Sequence, residues 1–127
     1  LGCSPREFFD EDNQEQKVIY TEEDRTHFFD EERGYDIQWL VPGSNEMKME
    51  PILLTLHDQG EFKAFEPSPA ETFAYVLSGR IVVRLGKRYY FAKAGEAIYF
   101  YASDEHQIMN DHDGPSELIL VATQSYL

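Results

Sequence analysis

The sequence predicts one all-β domain, a sandwich or barrel, and three observations predict it. From Tyr35 onward, short apolar runs are separated by turn signals at regular intervals, the pattern of antiparallel strands. Aromatic residues make up 14% of the chain, and with the β-branched runs they suit a pleated, half-buried surface. At 127 residues and 42% hydrophobic content, the chain can bury one real core without covalent staples.

The elements follow in order. Ser4-Pro5-Arg6-Glu7 reads as a helix start, with Ser4 as cap, Pro5 in the first helical position and Glu7 completing a capping box. Phe8-Phe9 end it, leaving a short N-terminal helical stub, and a polar linker follows to Gln16. The runs at 18–20 and 27–29 suit edge strands. Strands are then expected at 37–41, closed by Pro42-Gly43, and at 49–56, closed by Asp58-Gln59-Gly60. Pro51 inside the latter implies an edge position or a bulge, because proline cannot donate to a ladder. Further strands are expected at 73–77, 81–85, 89–92, 97–101, 106–109 and 118–123. The turns between them carry Ser78-Gly79, Gly86-Lys87, Lys93-Ala94-Gly95 and the polar loop 110–115. There is no internal repeat.

Charge narrows the function classes. The formal net charge is −13, which opposes binding to a phosphate backbone by this chain alone. Much of the acidity lies before Asp36, in Asp10-Glu11-Asp12, Glu22-Glu23-Asp24 and Asp30-Glu31-Glu32. Cys3 is the single cysteine, so no internal disulfide forms, which suits a reducing cytoplasm. No apolar run approaches the roughly 18 residues of a membrane span, and no basic start leads into an apolar signal segment. The chain opens on Leu1 rather than Met, which suits a fragment.

Two spaced motifs give the sequence a family. Glu71-Thr72-Phe73-Ala74-Tyr75-Val76-Leu77-Ser78-Gly79 resembles the end of the first cupin motif. Gly95-Glu96, Tyr99-Phe100, His106 and Asn110 resemble the second, about fifteen residues further on. The resemblance implies a cupin double-stranded β-helix, a jelly-roll barrel that protects its edges. The flanks are similar to regulators of the xenobiotic-response-element (XRE) type: residues 1–9 resemble the last helix of a helix-turn-helix domain. Leu40-Val41-Pro42, Met49-Glu50-Pro51 and residues 71–81 resemble the cupin of such regulators. The implied organisation is a helix-turn-helix remnant and linker at 1–16 and a cupin domain at 17–127. In that family a DNA-binding domain precedes a cupin that senses a small molecule and often dimerises. DNA would be contacted only through the preceding domain.

The resemblance also raises a metal. Metal-binding cupins use two His, a Glu and a third His, and a divalent ion needs three or four such donors. Counted back from Gly79, the His-x-His positions hold Glu66 and Ser68, and the Glu position holds Thr72. Glu71 is one residue off, which aims it at the other face of the strand. Only His106 keeps a donor, so no metal cofactor is expected. If one were bound, His106, Glu66 and Glu71 would be its ligands, given a bulge near Pro67-Pro69.

The candidate ligand-binding residues are His106, Thr72, Val76 and Phe100 facing inward, with Glu71 and Tyr101 at the rim. His106 is read equally as an interior hydrogen-bonded histidine. His57, His112 and His27 read as exposed, loop or packed residues. Arg80, Arg84, Lys87 and Arg88 read as a solvated face paired with nearby acids. The aromatic set Tyr75, Tyr89, Tyr90, Phe91, Tyr99, Phe100 and Tyr101 reads as core rather than ligand cage. The expected function is a non-enzymatic effector-binding and dimerisation domain of a transcriptional regulator; a small metal-dependent cupin enzyme (dioxygenase or isomerase) and a purely architectural module compete with it. The homodimer is expected through barrel faces and exchange of N-terminal strands, since short edge strands seek cover.

Overall fold

Strand alternation decides what faces the core here, and a computed structural model describes it for residues 16–63 and 70–123. The helical stub, Cys3, and Glu66 and Ser68 with their flanking prolines lie outside the described residues. The strands are β1 (Thr26–Asp30), β2 (Tyr35–Trp39), β3 (Glu50–Leu56), β4 (Glu71–Ser78), β5 (Arg80–Leu85), β6 (Arg88–Lys93), β7 (Ala97–Tyr101), β8 (His106–Asn110) and β9 (Ser116–Ala122). They pair antiparallel into a 6-stranded sheet, β1-β2-β3-β9-β4-β7, and a 3-stranded sheet, β6-β5-β8. The two sheets close on each other as a jelly-roll.

β3 and β9 bury every second residue along their whole length, so Ile52, Leu54 and Leu56 meet Leu118 and Leu120 inside. Ile81, Val83 and Ile108 supply the facing layer from the small sheet. Tyr35 packs edge-on against the fully buried Phe62, with ring centroids 5.0 Å apart.

Three expectations are corrected. Residues 18–20 form no strand, whereas 27–29 lie in the edge strand β1. Pro51 is neither on an edge strand nor in a bulge: β3 lies between β2 and β9. Its carbonyl accepts from Leu40 N–H on the β2 side, where β2 itself has ended at Trp39. Proline's missing N–H points to the same side, so the ladder to β9 is untouched and only the reciprocal bond to Leu40, past the end of β2, is forgone. Finally, the aromatic set is mostly outside: of its seven residues only Phe100 is buried.

Gly79 explains one motif glycine. Its φ is +81°, and an added Cβ would lie 2.1 Å from Ser116 Oγ. Ser116 is fully buried and works as a clasp: its hydroxyl accepts from Arg80 N–H at 3.0 Å and lies 2.7 Å from Asn110 Oδ1. The Asn110 amide donates to the carbonyls of His57 and Gly114, each at 2.8 Å. The motif residues Gly79 and Asn110 thus tie three chain segments together at one end of the barrel.

Candidate functional site

Register places the functional side chains at the opposite end. In the small sheet, His106 pairs with Leu85 and Leu85 with Arg88, so these three share one row on the inward-facing side. In the large sheet, Glu50, Ala122, Thr72 and Phe100 form the matching inner row. The two rows meet where the Phe100 and His106 rings pack edge to face, 5.2 Å between centroids.

This end concentrates buried polar groups. Thr72 is fully buried, and Glu50 and His106 are each 2% exposed. Glu50 accepts a 2.8 Å hydrogen bond from the Trp39 indole N–H. His106 Nδ1 lies 3.2 Å from the Asp104 carbonyl, which can only accept, so Nδ1 carries the proton. Burial pushes the His106 pKa down, the Asp104 carbonyl partly opposes this, and the Arg84 charge adds to the lowering. The imidazole is therefore neutral near pH 7.

Beside this row the barrel wall is open. Among the described residues β6 and β7 are each an edge strand of their sheet, and between them runs a cleft of about 690 Å³. Its apolar lining includes Val83, Leu85, Ala92, Ile98 and Phe100, and Tyr90, Tyr99 and Glu96 also border it, with the Tyr99 hydroxyl turned to Glu71 and the Glu96 carboxylate to the Lys93 N–H. A concave, largely apolar lining is a common feature of small-molecule sites. A second depression, of about 720 Å³, lies at the clasped end among Asp58, Arg80, Asp111 and Asp113. It is polar, and its Arg80 already pairs with Asp111 at 2.9 Å.

The expected inward set is thus brought together in part. Thr72, Val76, Phe100 and His106 all face the interior, and Phe100 joins His106 to the cleft. Glu71 and Tyr101 do not line the interior. They pair with each other on the outer surface of the large sheet, where Tyr101 is 66% exposed and Glu71 accepts from the Tyr99 hydroxyl. Strict alternation is the reason: both neighbour an inward residue, so both point out.

The same parity bears on the metal. Glu71 is on the opposite side of β4 from His106, and Thr72, in the family's carboxylate position, offers only a hydroxyl. Among the described residues no three His, Cys, Asp or Glu side chains converge. The described donors do not fit a family-type metal centre. Glu50 and the cleft residues Val83, Leu85 and Ile98 were missed as site residues. The signal for Glu50 was available, because it is in phase with Ile52, Leu54 and Leu56.

The other histidines and Arg84 lie as follows, whereas Arg88, in register with the inward Leu85, is not on the outer face expected of it. His57 bonds Asp36 at 2.7 Å and packs against Phe29. His27 and His112 are exposed, and Arg84 lies 3.7 Å from Glu105.

The fold and this inner row define a cupin. The cupin domain family matches residues 53–122, more than half of the chain, and the chain belongs to that family. No curated protein is significantly similar to it in sequence.

Solved structures share the fold at low identity. An HTH_3 family transcriptional regulator from Vibrio cholerae matches at 19% identity and TM-score 0.62, over 70% of this chain and 50% of that one. The Cupin_2 domain of an XRE family transcriptional regulator from Enterobacter cloacae matches at 13% identity and TM-score 0.62, over 70% of this chain and 95% of that domain. FeII HppE matches at 18% identity and TM-score 0.71, over 87% of this chain and 62% of that one. The chain therefore spans about half the length of the Vibrio regulator. No helix among the described residues is long and apolar enough to cross a membrane.

Proposed function

We propose that the chain is the effector-binding and dimerising domain of a cytoplasmic DNA-binding transcriptional regulator and catalyses no reaction itself. The observation that carries this reading is the inner row: it keeps His106 and an open apolar cleft, but has a threonine where a cupin enzyme would need a carboxylate ligand. Its likeness in sequence to XRE regulators and in fold to two regulator cupins supports the same reading. Regulation would work by linkage. A small molecule that fits one barrel state better biases the spacing of two attached DNA readers. DNA contact belongs to the preceding domain, consistent with the acidity of this one.

The dimer is part of the proposal, and of the barrel faces expected to carry it the outer face of the large sheet is the one we favour. Phe73, Tyr75 and Leu77 stand there, 37–43% exposed, beside Tyr99 and Tyr101. By register, Ile119 and Val121 adjoin Tyr75 and Phe73, and Leu53 adjoins Ile119. The centre of this face, Phe73, Tyr75, Ile119 and Val121, carries no charged side chain, and Glu71 stands at its edge beside Tyr99 and Tyr101, which lets two copies of net charge −13 meet. Light scattering should show a dimer, and Tyr75→Glu should yield a folded monomer; a monomeric parent protein contradicts the surface.

For the sensor itself, thermal shift and calorimetry over a metabolite library should find a binder that Ile98→Trp, which fills the cleft, no longer accepts. A library with no binder removes the reading. The enzyme alternative is favoured by one observation, the retained inward His106. Metal analysis of freshly purified protein decides it: a stoichiometric, chelator-sensitive transition metal would establish the alternative.

A further inference from the structure

The cations of the β5–β6 hairpin divide into two kinds. Arg80, Arg84, Lys87, Arg88 and Lys93 fall between positions 80 and 93, with no Asp or Glu among them, in a chain of net charge −13. Arg80 pairs with Asp111, and Arg84 faces Glu105 while donating to the Gly86 carbonyl at 3.1 Å. Lys87, Arg88 and Lys93 pair with no acid among the described residues, and of these Arg88, exposed at the start of β6, is the one in register with the cleft row. It pairs in register with Leu85, a cleft residue, and shares strand parity with Tyr90 and Ala92, also cleft residues. The cleft's acid, Glu96, lies at the other end of β6, where its carboxylate caps the turn by accepting from Lys93 N–H at 2.9 Å.

We infer that the cleft between β6 and β7 binds an aromatic or otherwise apolar small molecule bearing a carboxylate or similar anion, with Arg88 receiving the anion at the mouth. This rests on the sensor reading and names its ligand class. The apolar lining takes the body of the molecule. Arg88 offers a planar donor fork suited to a carboxylate. The hairpin carries no acid of its own, and with Arg80 and Arg84 facing Asp111 and Glu105, Arg88 is the cation in register with the cleft row that is left to meet an anion.

The test uses 2-naphthoate and its neutral counterpart 2-naphthamide, titrated into the protein at low salt by calorimetry. The naphthoate is expected to bind at one site per chain, about ten-fold more tightly than the amide, a difference within the range of one charge-assisted hydrogen-bond pair. Arg88→Gln should bring the naphthoate to the level of the amide and leave the amide unchanged. Ile98→Trp should weaken both. Equal binding of the two probes, indifferent to Arg88→Gln, overturns the anion preference and leaves the sensor reading standing. Failure of both probes and of the whole metabolite library overturns both. A loss at Lys93→Gln equal to that at Arg88→Gln overturns the assignment to Arg88. The exposed position of Arg88 keeps the variant folded, which unchanged thermal unfolding should verify.

Discussion

The two ends of the barrel bury polar groups in opposite ways. At the clasped end, Asn110 and Ser116 bond each other and the adjoining backbone, and Gly79 is packed so closely against Ser116 that no side chain fits. At the other end, Glu50, Thr72 and His106 are as deeply buried but stand next to a cleft. The family's motif residues serve both ends. Gly79 and Asn110 hold the fold together, whereas Thr72 and His106 occupy the positions where chemistry or binding is decided. A motif match alone therefore establishes a scaffold and leaves its use open.

Substitutions can break this comparison. The largest effect is expected at Gly79→Val, which combines a left-handed φ with a collision against Ser116. It should cost about 3 kcal/mol or more and leave little folded protein in urea unfolding. Gly95→Ala, also at positive φ (+90°) but with nothing within 4 Å, should cost only about 1–2 kcal/mol. If the two cost the same, the clasp has no special role. Asn110→Leu is next. It strips partners from Ser116, His57 and Gly114, and should cost about 2–3 kcal/mol by thermal unfolding.

At the cleft end the expected costs are smaller. Trp39→Phe removes the indole donor to the buried Glu50 carboxylate and should cost about 1–2 kcal/mol, with little change in ligand binding. The smallest effect concerns pH. The folded-state pKa of His106 lies below its ordinary 6.5, so the unfolded chain takes up this proton first. The stability linked to His106 is complete above about pH 6.5 and is lost as pH falls through the lower folded value. His106→Gln should flatten that part of a stability–pH curve; an unchanged slope would place the titration elsewhere.

The sequence made much of this legible and left out what depends on distance. Strand positions followed from runs and turns, and parity from Gly79 turned Thr72, Val76 and Phe100 inward. The same parity excluded Glu71 and Tyr101, which had been expected at the rim. Glu50 could have been found by counting back from Leu56, but a charged residue beside a proline reads as a strand boundary. The aromatic residues deceived for a physical reason: exposed sheet faces rich in Tyr and Phe have the composition of a core. The clasp and the cleft were out of reach, because Ser116 meets Gly79, and Ile98 meets Leu85, only after the sheets close.

The open seam has a kinetic consequence. A barrel whose edges are all paired admits a guest only when strands part, so local unfolding sets the rate of exchange. Among the described residues no strand seals the wall between β6 and β7, so under the proposed reading a small molecule would reach Phe100 by diffusion through a standing gap. Occupancy would then follow concentration promptly, with residence time set by contacts rather than by a gate. The unpaired amides along both edges provide a clock for this, because their hydrogen exchange should slow only while the seam is filled.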